Sequence, residues 1–396
     1  MSTVAPEIST PAAPPPPPAP TEPPFGVNEM RLSGREWIAT LIIFIAFAII
    51  APRAWKHFEV FNTGRDYRLP YVLSKDYWLF ERRLDQIGDQ HQIPLLGDSV
   101  IWGEYVRPDG TLSHFLNAQT NQRDRFLNCG VNGMFPLALE GLVRNYGKSL
   151  HNRKIILQYN MLWMTSPRAD LSDPKPQSFN HARLVPQFWP RVPSYDADFS
   201  ERISATLDHH VQLYSWSLHL QNAYYDQRSM PEWTLKEDDT DPPRLPNAWR
   251  SPLAPFKEGI PTEPAIDPER GPASRRHKPW NADGAEPTQF EWVDLDQSLQ
   301  WQAFQRLVGL LRDRGNDVLV IVGPLNEDMI EASQRPQYEQ MRAAIGAWLP
   351  ARGVVTLLPP TLPSQQYADT SHPLTQGYAL LAKELLDDEA FGQWAR

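Results

Sequence analysis

The most apolar uncharged stretch comes early. Sixteen residues from Trp37 to Pro52 carry no charge, with Arg31 and Arg35 before them and Arg53 and Lys56 after. A membrane-spanning helix uses about 20 apolar residues, with a range near 17–25. Trp37 and Trp55 suit the two interfaces, and Arg35 and Arg53 can reach head groups, which brings the segment to spanning length. A cleaved signal peptide fits less well, because the preceding region is long and no Ala-x-Ala site follows. A buried core helix would carry a polar face, and this run has almost none. The pattern therefore predicts one membrane anchor over 36–55. Basic residues flank it evenly, so charge alone does not set its orientation.

Beyond a lead-in over 56–89 the pattern changes. Short apolar runs alternate with amphipathic segments from about Gln90 to the end, which defines a domain over 90–396. Ile93–Leu96, Phe126–Val131, Lys154–Asn160, Asp317–Gly323 and Val354–Leu358 read as strands. Asp317–Gly323 is the clearest, since its apolar residues do not alternate with polar ones, as expected of a strand buried on both faces. Pro136–Leu150, Ser298–Arg314, Gln337–Leu349 and Leu374–Leu386 read as helices. Strands and helices that alternate at these lengths predict an α/β fold with a parallel sheet covered on both faces. The pattern lapses between Ser166 and about Phe290, where 18 of the 40 prolines fall. That stretch holds one helical segment, Phe199–Tyr225, and the acidic run Glu237–Asp241. A structureless connection this long is unusual inside a compact domain. It is expected to be an insertion folded over an edge of the sheet or over the site.

Composition adds three constraints. Met1–Phe25 is dominated by Pro, Ala, Ser and Thr and includes Pro14–Pro18, so residues 1–30 are expected to form an extended tail. A ligand for a proline-recognising module is the alternative. A formal charge of -9 argues against nucleic acid as a partner. The single cysteine, Cys129, rules out an intrachain disulfide and any Cys-x-x-Cys pair, and in a strand it reads as a small buried hydrophobe. His209 and His210 are adjacent on a helix and point apart, a poor metal pair. No cofactor is expected. Trp189, Trp216, Trp233, Trp249, Trp280 and Trp292 gather in or beside the insertion, where they either pack or line a cleft.

In a parallel α/β sheet, ligands bind outside the carboxyl ends of the strands. The first strand is followed by Gly97-Asp98-Ser99, the second by Gly130-Val131-Asn132-Gly133, and the third ends at Asn160. Asp369-Thr370-Ser371-His372 precedes the last helix. These are parts for acyl transfer. A serine hydroxyl needs an adjacent base, which His372 can supply to Ser99, with Asp369 orienting the imidazole. The backbone N–H groups of Ser99 and Gly133 and the amide of Asn160 are candidate oxyanion donors. Each piece also has an ordinary structural reading: helix caps for Asp98, Ser99 and Asn160, turns for the glycines, a satisfied histidine for His372.

In that order and context the motifs resemble the SGNH/GDSL hydrolase superfamily. Gly97-Asp98-Ser99-Val100 corresponds to its first block. Asn132-Gly133-Met134 is the best match to the second, which supplies a glycine N–H. Gln158-Tyr159-Asn160-Met161 stands for Gly-x-Asn-Asp and keeps only the asparagine. Asp369 to His372 matches the final Asp-x-x-His. The resemblance covers about 90–165 and 295–390. It implies a flavodoxin-like three-layer α/β/α sandwich with a central parallel sheet, a Ser99–His372–Asp369 triad, and an oxyanion hole of Ser99, Gly133 and Asn160. It also implies a serine esterase cleaving O-acyl esters, with an acylated glycan as one substrate class. Two further readings stay open: an O-acyltransferase of cell-envelope polysaccharide working with a membrane-bound acyltransferase partner, and a catalytically silent binding protein. Relatives with one N-terminal anchor place the domain outside the cytoplasm, in the periplasm.

Overall fold

The computed structural model describes residues 32–88, 91–235, 251–262 and 278–396. The expected Pro-rich tail over 1–30, the run Glu237–Asp241 and Trp249 lie outside them. The chain divides into two compact units between Ala48 and Ile49. The described part of the first is the start of α1 (Gly34–Phe58), a helix of 25 residues with a mean hydropathy of 2.1 over its most apolar window. At 1.5 Å per residue it is about 37 Å long, against a hydrocarbon thickness of about 30 Å. Trp37, Ile38, Leu41, Ile42, Ile43 and Phe44 are all more than half exposed. A helix apolar all round and long enough to cross a membrane is what the pattern predicts. It runs six residues past Pro52, which removes the shortfall in the uncharged run.

In the second unit the order after the end of α1 is α2 (Tyr77–Asp85), β1 (Ile93–Leu96), α3 (Ser99–Trp102), α4 (Leu112–Gln119), β2 (Phe126–Asn128), α5 (Pro136–Tyr146), β3 (Lys154–Tyr159) and α6 (Pro167–Asp170). Then come α7 (Phe199–His210), α8 (Gln212–Tyr224), α9 (Met230–Leu235), α10 (Leu299–Asp313), β4 (Asp317–Val322), α11 (Arg335–Trp348), β5 (Val355–Leu357), α12 (Thr375–Asp387) and α13 (Glu389–Ala395). All strand pairs are parallel and the sheet order is β2-β1-β3-β4-β5. Successive strand residues point to opposite faces, and both faces are buried. Ile155, Leu157, Val318, Val320 and Val322 join α2, α5, α10 and α11 in one core. Ile156, Leu319 and Ile321 join α4, α12 and α13 in the other. The unbroken apolar runs of β3 and β4 are thus explained by helices on each side.

Three details differ from the sequence pattern. Residues 56–89 are more than a lead-in: Tyr77, Phe80, Leu84 and Ile87 belong to the main core. The helix expected over Phe199–Tyr225 breaks at Val211, an extended residue (φ -115°, ψ 101°) that ends α7 and starts α8. Strand β2 stops at Asn128, although Cys129 N still donates to Leu95 O (3.0 Å) and Val131 N to Gly97 O (3.2 Å).

The insertion is anchored at several points. Near its start, buried Asp170 accepts from the backbone N–H of Leu299 and Gln300 at the head of α10 (both 3.1 Å). Trp280 N donates to Tyr367 O (2.9 Å) and its indole to Ser364 Oγ (2.7 Å). Glu291 N donates to Thr165 O (2.9 Å). It therefore borders the carboxyl-end rim of the sheet. Its tryptophans mostly pack: Trp292 is buried beside Tyr338 (ring centroids 5.8 Å apart) and Trp216 lies against Trp55 (5.9 Å), while Trp189 is exposed. Buried His219 on α8 holds Asp76 through Nδ1 (2.8 Å) and Glu59 through Nε2 (2.7 Å). Burial disfavours the charged ring, but these two carboxylates outweigh it and raise the pKa to about 9.

Two outcomes test this packing. A Cβ on Gly141 of α5 would overlap the carbonyl oxygen of Leu184 in the insertion. Gly141→Ala should therefore destabilise the protein by about 1–3 kcal/mol, read as a lower urea midpoint. The His219 pKa is higher folded than unfolded, so its contribution is complete below 6.5 and disappears as pH rises through about 9. Urea unfolding at pH 6 and pH 9.5 should show that loss in the wild type and a smaller one in His219→Gln.

Candidate active site

The sheet order reverses direction between β1 and β3, and the crevice at their carboxyl ends is where ligands enter such sheets. Gly97 follows β1 because nothing larger fits: a Cβ there would press on Ile101 and on Gln158 Oε1. The next residue, Asp98, caps α3 by accepting from Val100 N (2.8 Å). Ser99 then sits in the first turn of α3, 5% exposed. Two groups from the segment before α2 hold this turn in place. Arg68 donates to Trp102 O (3.0 Å) and lies over the Trp102 ring at 4.0 Å. The Trp102 indole donates to Leu69 O (2.6 Å).

The structure brings Ser99 and His372 together across 273 positions, with Oγ 2.8 Å from Nε2. His372 Nδ1 lies 2.8 Å from both oxygens of Asp369. Asp369 also accepts from the backbone N–H of Ser371 (2.9 Å) and His372 (3.0 Å), so the Asp-x-x-His turn holds its own carboxylate in line. The loop after β4 supports that turn, since Asn326 N donates to Thr370 O (2.8 Å). On the other side Tyr378 of α12 donates to Val100 O (2.6 Å), joining the helix after the histidine to the helix of the serine.

Electrostatics favour a charged pair. Burial opposes ionisation of Asp369, but the His372 charge and the hydrogen bonds outweigh it and hold its carboxyl below the usual value. Burial likewise opposes the imidazolium, while Asp369, then Glu104 and Asp98, raise the His372 pKa above 6.5. Buried Asp98 is pushed up by desolvation, despite the donors that face it.

Asn160 caps the turn after β3 with its oxygen on Leu162 N (3.0 Å) and gives one amide proton to Asp98 Oδ2 (2.8 Å). A second amide proton remains to be given. Asp98 thus turns the Asn160 amide toward the serine turn, in spite of the glycine and aspartate absent around it. Gly133 adopts φ +70°, a region open mainly to glycine. A Cβ there would stand 2.7 Å from Asn180 Nδ2. Its N–H donates to no protein acceptor among the described residues.

Several neighbours escape a reading of the sequence. Trp163 donates to Asp98 Oδ2 (2.9 Å). Glu104 accepts from the Asn132 side chain (3.0 Å) and has an oxygen 3.7 Å from His372 Nε2. The Tyr105 ring meets the His372 ring edge-on at 5.4 Å, on backbone at φ +66°. Glu104 and Tyr105 follow the Gly-Asp-Ser block by only a few residues, and that proximity was the one available signal. Cys129 is buried and its thiol is pushed up to about 11 by desolvation, the state of a packing residue. His209 and His210 have ring centroids 6.2 Å apart. Among the described residues no group of three or more His, Cys, Asp or Glu is arranged to hold a metal ion.

The chain matches no model of a known protein family, and no curated protein is significantly similar to it.

Proton NMR can follow the imidazole directly. His372 should titrate above 6.5. Asp369→Asn should lower that pKa, and Glu104→Gln should lower it by less, because Asp369 is the larger of the two charges acting on the ring. A wild-type ring that titrates at 6.5 or below contradicts the arrangement.

Proposed function

We propose that this chain is a membrane-anchored serine esterase that cleaves O-acyl esters, an SGNH/GDSL-type hydrolase with Ser99, His372 and Asp369 as its triad. The observation that carries the reading is the continuous hydrogen-bonded line from Ser99 Oγ through both nitrogens of His372 to Asp369. The 2-1-3-4-5 strand order with helices on both faces supports the flavodoxin-like sandwich that the resemblance implies.

The geometry suits two acyl-transfer steps. Ser99 Oγ attacks the ester carbonyl carbon while its proton passes to His372 Nε2. Asp369 stabilises the imidazolium that forms. The carbonyl oxygen becomes an oxyanion facing the N–H groups of Ser99 and Gly133 and the second amide proton of Asn160. The ester C–O bond then breaks, the leaving alcohol takes the proton from His372, and the acyl group stays on Ser99. Water attacks next, returns a proton through His372 and releases the acid. A glycan hydroxyl in the same place would instead receive the acyl group. The α1 helix anchors the enzyme, and by the resemblance its domain faces the periplasm, where acylated envelope glycans are the substrate class.

A fluorophosphonate tests the assignment. The full chain in detergent should be labelled once, on Ser99, and Ser99→Ala should abolish labelling. Asn160→Ala should lower kcat on p-nitrophenyl acetate by about 100- to 1,000-fold, the usual effect of losing one oxyanion donor. Labelling that persists in Ser99→Ala would overturn the reading.

A further inference from the structure

The insertion carries a buried histidine that the triad does not use. His181 is 3% exposed. Its Nε2 lies 2.9 Å from the carbonyl oxygen of Asn132, and its Nδ1 lies 3.1 Å from the Tyr77 hydroxyl. A carbonyl only accepts, so Nε2 carries the proton and Nδ1 accepts from tyrosine. Burial pushes the His181 pKa down to about 4, so the ring is neutral at neutral pH and has one N–H to give. That N–H goes to Asn132.

The next group in the chain is the N–H of Gly133. The Asn132–Gly133 bond is trans, so its C=O and N–H point in opposite directions. Fixing the carbonyl therefore fixes the N–H. Three further contacts leave this peptide little freedom. The Asn132 side chain is tied to Glu104 (3.0 Å), Asn180 closes on the Gly133 Cα from the insertion, and Met134 N returns to Val131 O (3.2 Å).

We infer that His181 is a positioning residue: by holding the Asn132 carbonyl it aims the Gly133 N–H into the oxyanion site beside Ser99. The inference rests on the esterase reading above. It gives the insertion a definite task. Sheet, serine turn and histidine turn all come from the α/β domain, but the direction of one oxyanion donor is set by a residue outside them. Tyr77 of α2 completes the relay, because its hydroxyl keeps the proton of His181 on the nitrogen that faces Asn132.

Three substitutions in the full detergent-solubilised chain test this. Glutamine carries an amide N–H near the position of Nε2, whereas the shorter asparagine reaches only as far as Nδ1. His181→Ala and His181→Asn should each lower kcat for p-nitrophenyl acetate by about 100-fold, with KM changed by no more than about twofold. His181→Gln should recover most of that loss. Fluorophosphonate labelling rates should fall and recover in the same order. A purely packing role predicts instead that Gln and Asn behave alike and that activity follows the folded fraction; either result overturns the inference. So does wild-type turnover in His181→Ala. Should His181→Ala fail to fold, the contrast between Gln and Asn decides. A wild-type protein that is not labelled on Ser99 removes the esterase reading and this inference together, whereas labelled variants at wild-type rate remove this inference alone.

Discussion

The site depends on the parallel register of β1 and β3, in which Leu95 pairs with Ile156 and Leu96 with Leu157. Parallel strands end at the same edge. The pairing therefore delivers Gly97-Asp98-Ser99 and Asn160 side by side, and the bond from Asn160 to Asp98 follows from it. A shift of one residue would turn every β3 side chain to the opposite face. Leu157 and Ile156 would exchange cores, and the Asn160 amide would lose its partner. Burial on both faces sets the register, and the register sets the chemistry.

A layered arrangement surrounds that edge. The serine turn is held by Arg68 and Leu69 through Trp102, by Tyr378 through Val100, and by His372. Asp98 has two duties, as cap of α3 and as acceptor for Asn160 and Trp163. Burial makes a carboxylate costly there, and three donors offset only part of the cost. The alternative reading of Asp98 and Asn160 as helix caps is thus correct and incomplete. Each caps a turn with one set of atoms and faces the other with the rest.

Much of this was legible in the sequence. Strands β3 and β4 were the easiest to locate, because parallel strands buried on both faces leave unbroken apolar runs; Ser99 and Asn160 follow the ends of strands, while Asp369 and His372 precede the helix α12. The long apolar helix α1 could be read for a similar reason, since its uncharged run shows no polar face. What could not be read lies where periodicity fails. Tyr77 and His181 are 104 positions apart, and the latter sits in a proline-rich stretch with no repeating pattern. Trp163 lies on a short 3-10 turn, where no spacing rule marks which way a side chain points. The break at Val211 is a tertiary decision: α7 packs near Arg183 and α8 against α2, and one straight helix could not do both.

The order of the parts along the chain has a consequence in time. The hydroxyl sits at the head of α3, just after the first strand of the sheet, and the imidazole comes 273 residues later, just before α12. A polypeptide made from its amino end thus carries Ser99 through the synthesis of all the residues between them without this base beside it, and a serine alone is a weak nucleophile. On the proposed reading the pair is incomplete until His372 has been made, and the bond from Tyr378 to Val100 O then ties the helix after the histidine to the helix of the serine.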